Sequence, residues 1–167
     1  MRNVLLFLVV LMILASCKNS NTQNISVLSE VDTSFSFFLS DYYRESSKDS
    51  HSYSKAFSLK SGVLYYDYKY HGYPDNDEKH NQKQLNDSAI TAIKTKMQEL
   101  SLYQNYKKTF PINESGFISE SGYTLSIITD TAKYSILVNG GRPMDIDDEI
   151  YNKLSELYYF INKIFPQ

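Results

Sequence analysis

The chain holds few residues that could do chemistry: one cysteine, three histidines and 19 acidic residues among 167. His71, Asp75, Asp77, Glu78 and His80 form the only cluster of metal-ligand types, and its spacing matches no zinc or calcium loop: a calcium loop needs a glycine after its acidic triplet, and none stands there, with Lys79 nearby instead. The cluster reads as a solvated turn. No Gly-rich phosphate loop, Gly-x-Ser-x-Gly elbow or His-Glu-x-x-His occurs. Asn139-Gly140-Gly141-Arg142-Pro143 has the glycines and arginine of an anion-binding turn, but the acids that follow at Asp145, Asp147 and Asp148 would repel an anion. The run from Tyr65 to Tyr73 offers aromatic contact area of the kind that dominates recognition surfaces. Tyr65, Asp67, His71, Tyr73 and Arg142 are therefore the expected binding surface, with no catalytic residue, metal or cofactor assigned.

The single thiol has a specific reading. Arg2 is a short positive region, Val4 to Ile13 an unbroken apolar run, and Ala15 and Ser16 are small residues beside Cys17. The run is well short of the ~20 residues a membrane-crossing helix needs. Leu14-Ala15-Ser16-Cys17 resembles the lipobox of bacterial lipoproteins, a resemblance confined to residues 1–17. It implies a signal peptide at 1–16, cleavage before Cys17 and acylation of that cysteine. Two or three acyl chains, at ~0.8 kcal/mol per buried methylene, make a durable anchor. It would also account for an exported chain carrying one unpaired thiol. Lys18, at the position after the cysteine, is not the aspartate that resembles an inner-membrane retention signal. An outer-membrane lipoprotein of a Gram-negative envelope is expected, facing either the periplasm or the cell surface.

Removing residues 1–16 leaves 151 residues with 16 basic against 19 acidic groups, a net charge of about −3. That balance gives no electrostatic reason for a nucleic-acid partner. Residues 17–26 read as a polar tether and 27–167 as one domain. With 15 Tyr, 9 Phe and no Trp, the core must use aromatic surface, much of it ending in phenolic hydroxyls.

The elements that position these residues follow from periodicity. Leu28, Val31, Phe35, Phe38 and Tyr42 fall at helical spacing, so an additional N-terminal helix is expected there, with an edge strand as the alternative because Phe35, Phe37 and Leu39 alternate. Arg44–Ser54 reads as a serine-rich loop. Ala56–Leu59 and Val63–Tyr70 read as a hairpin closed at Lys60-Ser61-Gly62, and 72–83 as a loop. A helix is expected from Asn86 or Asp87 to about Leu102, a connection over Tyr103–Glu120, a second hairpin over 122–139 turning at Asp130-Thr131, and a final helix with Ile150, Leu154, Leu157, Ile161 and Ile164 on one face. The expected fold is α+β: about four antiparallel strands in two hairpins with two helices on one face, in the order ββαββα. The expected function is a non-catalytic, lipid-anchored envelope domain that binds a protein, peptide or glycan or serves as a scaffold. The alternative is a small envelope hydrolase using residues around His71–His80.

Overall fold

The computed structural model describes residues 34–46, 51–72, 76–111, 118–141 and 146–165. Cys17, the signal and tether segments, Tyr73 and Arg142 lie outside them.

Seven strands form one mixed sheet. They are β1 (Ser36–Ser46), β2 (His51–Lys60), β3 (Val63–His71), β4 (Asn76–Gln84), β5 (Tyr106–Thr109), β6 (Ile118–Ile128) and β7 (Lys133–Asn139), in the spatial order β4-β3-β2-β1-β6-β7-β5. All neighbours are antiparallel except β5 and β7, which run parallel. Helices α1 (Asp87–Glu99) and α2 (Glu149–Ile164) complete the order ββββαβββα. The expected four-stranded antiparallel sheet with order ββαββα is corrected: the domain is strand-rich, with three further strands and one parallel pairing.

Each addition has a physical reason. The N-terminal helix expected over Leu28–Tyr42 is, from Ser36 onward, the central strand β1, paired on both sides; residues 28–33 lie outside the described set. Its buried face is Phe35, Phe37 and Leu39, but the next residue on that face is Asp41. A carboxylate in the alternating set hid the strand period, and the outward Phe38, 42% exposed, completed a false helical stripe. Arg44–Ser54, expected as a loop, is largely the paired ends of β1 and β2, with Arg44 opposite Ser52 and Glu45 opposite His51. The loop expected over 72–83 is from Asn76 onward β4, whose nine residues are all exposed. It buries nothing and so shows no hydrophobic period; it forms because the outward backbone groups of β3 find partners in it. Within the expected connection 103–120 lie β5 and the start of β6.

The turn between β2 and β3 is two residues, Ser61 (φ 50°) and Gly62 (φ 77°), both left-handed as a type I′ hairpin requires. α1 is capped by Asn86, whose side chain accepts from Ala89 N–H at 2.9 Å, and buries Ile90, Ile93 and Met97. α2 is capped by Asp148, which accepts from Tyr151 N–H at 3.0 Å, and buries Ile150, Leu154, Leu157, Tyr158 and Ile161.

Both helices lie on one face. Successive cross-strand rows on that face read Leu64–Leu59–Phe37–Ile127 and Tyr66–Phe57–Leu39–Leu125–Ile136, all buried. α2 covers the second row: the Phe57 ring stands 5.2 Å from Tyr158 and 6.4 Å from Phe165. Each fully buried Leu or Phe contributes ~1.5–3 kcal/mol. On the opposite face no described element packs, and Phe38, Tyr65 and Ile128 are exposed.

Candidate functional site

The helix-side face continues past α2. The next row reads Tyr68–Lys55–Asp41–Tyr123–Val138, and the one beyond it Tyr70–Tyr53–Tyr43–Ser121. Strands of nine to eleven residues, at ~3.3 Å per residue, outrun the width that one helix can cover. A half-buried shelf of tyrosines is left, with α2 as its wall.

Each part of the shelf is held in place. Tyr43 and Tyr53 stand opposite each other across β1 and β2, their rings stacked 5.7 Å apart at 26°. The Tyr43 hydroxyl donates to Glu45 at 3.2 Å, and Glu45 meets the His51 ring nitrogen at 3.0 Å. Lys55 lies over the Tyr53 ring at 4.9 Å. From the wall, Tyr151 and Tyr158 meet Tyr123 at 5.0 and 6.4 Å. Tyr159 is 64% exposed. Positions 151, 155, 158 and 159 share one side of α2 at helical spacing.

Asp41 sits where floor meets wall, opposite Lys55 on β2 and Tyr123 on β6. Burial pushes its carboxyl up to about 6, although the Lys55 ammonium pulls the other way. The Tyr53 hydroxyl is pushed up to about 12, first by burial and then by Asp41 and the neighbouring tyrosines. Tyr123, Tyr151 and Tyr158 are shifted upward for the same leading reason. At neutral pH the shelf therefore presents aromatic faces, phenolic O–H groups, one ammonium and one carboxyl that titrates near neutrality. That set suits a ligand with ring or aliphatic faces and several hydroxyl or amide groups.

A second carboxylate, at the buried Asp148, has a structural role. Asp148 accepts from Tyr106 Oη at 2.7 Å, from Lys108 Nζ at 3.0 Å and from Tyr151 N–H. Burial alone would raise its pKa, but the hydrogen bonds from Tyr106, Tyr151 N–H and Lys108 outweigh it and leave the value lowered. One of the acids that follow the Gly140-Gly141 turn is thus the bolt that ties α2 to β5.

The residues singled out from sequence fall elsewhere. Tyr65, Asp67 and His71 lie on the opposite, helix-free face of β3, Tyr65 being 36% exposed. His80 Nδ1 lies 2.6 Å from Asp67 Oδ1, and His80 Nε2 lies 3.7 Å from Glu78. His71, opposite Asn76, is four positions along β3 from Asp67, so the sheet does not bring the two histidines together. Among the described residues no group of three or more His, Cys, Asp or Glu side chains is arranged to hold a metal. None of their helices is long and apolar enough to cross a membrane. Sequence reasoning misses the shelf, because its signal is the alternation Phe37, Leu39, Asp41, Tyr43 against Tyr53, Lys55, Phe57, Leu59, and the first set falls in the expected helix while the expected strand on β2 begins only at Ala56, leaving Tyr53 in the expected loop.

No protein-family model matches this chain, and none of the curated proteins is significantly similar to it.

Proposed function

We propose that this chain is a lipid-anchored lipoprotein of the bacterial cell envelope whose domain is a non-catalytic binding module. The observation that carries the binding role is the tyrosine shelf: the stacked pair Tyr43 and Tyr53 as floor, Tyr151 and Tyr159 as wall, and Asp41 with Lys55 at the corner. Tyrosines supply large rigid contact area at low entropic cost, and the half-buried Asp41 carboxyl supplies direction. The partner is a protein, peptide or glycan of the envelope. The lipobox at residues 14–17 supports the anchoring role, with Cys17 as the acylated residue.

A photo-crosslinking side chain placed at Tyr159 in cells should capture an envelope component, while the same group at Tyr65, on the other face, should not. Adducts from Tyr65 alone would overturn the assignment to the shelf. Fatty-acid labelling should be lost in Cys17→Ala; labelling that persists would overturn the anchor.

A further inference from the structure

The two edges of the sheet are not alike. At one end β5 is four residues long and carries Lys107 and Lys108, the second committed to Asp148. Short and basic, it repels a copy of itself. At the other end β4 runs for nine residues, all exposed, and among the described residues no strand pairs with its far side.

The hydrogen-bond phase of that edge follows from two observations. Leu85 N–H donates to Gly62 O at 2.9 Å, and these two residues continue the register of Val63 opposite Gln84. In an antiparallel ladder bonded and non-bonded pairs alternate. The odd residues of β4 therefore bond β3, and Asn76, Glu78, His80, Gln82 and Gln84 aim their N–H and C=O groups outward. The close approach of His80 to Asp67 agrees, because side chains come nearest at non-bonded pairs.

We propose that β4 pairs with β4 of a second copy of this chain, antiparallel about a two-fold axis at His80, joining two sheets into one. In this register all nine residues are paired. Asp77 faces Lys83 of the other copy twice over, Lys79 faces Asn81, Glu78 faces Gln82, Asn76 faces Gln84, and His80 faces His80 with each ring held by its own Asp67, so no two lysines and no two acids oppose. Moving the axis one residue toward Lys79 sets Lys79 against Lys79; moving it one residue the other way sets Lys79 against Lys83. Lysines usually blunt an edge, but here each meets an acid or an amide. The bonded positions fall on the outward-pointing residues, as the pairing requires.

The full chain, kept in detergent, is the material for the test. A carbodiimide joins a carboxylate directly to an amine. Within one copy Asp77 and Lys83 are six residues apart along an extended strand, ~20 Å, which excludes a direct link. A cross-linked peptide joining Asp77 to Lys83 therefore reports two copies. We expect that peptide, together with a dimeric mass by analytical ultracentrifugation. Asp77→Lys should weaken the dimer roughly tenfold or more by opposing two pairs of lysines. Asp77→Lys with Lys83→Asp should restore it. Gln82→Pro removes only an outward N–H and should give a folded monomer. A chain that stays monomeric at its highest soluble concentration overturns the proposal. So does a dimer that lacks the Asp77–Lys83 link and is unchanged by Asp77→Lys.

Discussion

Asp41 and Tyr123 stand directly opposite each other in the pairing of β1 with β6, on the face that α2 covers. The sheet therefore carries a carboxyl in the row next to its most buried one. Because the folded pKa is raised from 3.8 to about 6, the folded chain binds more protons than the unfolded chain between those values. Stability from this group is full below the lower value and is lost as pH rises through the upper one. The loss has an upper bound of about 3 kcal/mol, reduced by the part of the carboxyl that still meets water. Asp41→Asn should flatten the pH dependence between 4 and 7 and raise the urea midpoint at neutral pH. A variant with the parent's pH profile would show that the carboxyl is solvated.

Asp148 should behave in the opposite sense. Its lowered pKa means that it stabilises the fold at neutral pH and that this is lost as acid protonates it. Asp148→Ala removes the α2 cap and the acceptor for Tyr106 and Lys108 together, and should cost roughly 2–4 kcal/mol. Asp148→Asn keeps a capping oxygen and should lose about half as much. Denaturant unfolding of both variants measures the split.

Gly140, at φ 97°, has the carbonyl oxygen of Phe110 only 2.1 Å from where a Cβ would stand. Gly140→Ala should cost about 3 kcal/mol or more, since both the backbone and the neighbour object. Ser61 supplies the contrast: it is a non-glycine residue at φ 50° in a two-residue turn. Ser61→Asn should stabilise the chain by roughly 0.5 kcal/mol. Thermal unfolding of the two variants measures both effects.

On the shelf, Tyr159→Ala should leave stability within about 0.5 kcal/mol, because the ring is largely exposed. Tyr158→Ala should cost ~3–5 kcal/mol by opening a cavity against Phe57 and Tyr123. The two adjacent tyrosines thus separate partner capture from folding.

What could be read from sequence was whatever leaves a periodic or turn signature. Both helices, the cap of the first at Asn86, the Ser61-Gly62 turn and the strand β7 stand close to where stripes and turn residues put them. β4 and β5 were illegible because strands at a sheet edge, exposed along most of their length, have no apolar alternation to show. β1 was legible only as the alternative, an edge strand, because Asp41 interrupts its inner face while Phe38 decorates its outer one; its central place came from pairing on both sides. The shelf was legible only as an abundance of tyrosine. Its position depends on which rows α2 covers, a tertiary fact that no local pattern encodes.

The central place of β1 has a mechanical consequence. Nine cross-strand pairs hold it to β2 and eleven to β6, both antiparallel. A pull on the chain ahead of Ser34 loads β1 lengthwise, so two ladders of backbone hydrogen bonds resist in shear at the same moment. A pull at Phe165 would peel α2 away turn by turn. Of the two described ends, Ser34 is the one where a load is shared by two antiparallel ladders at once.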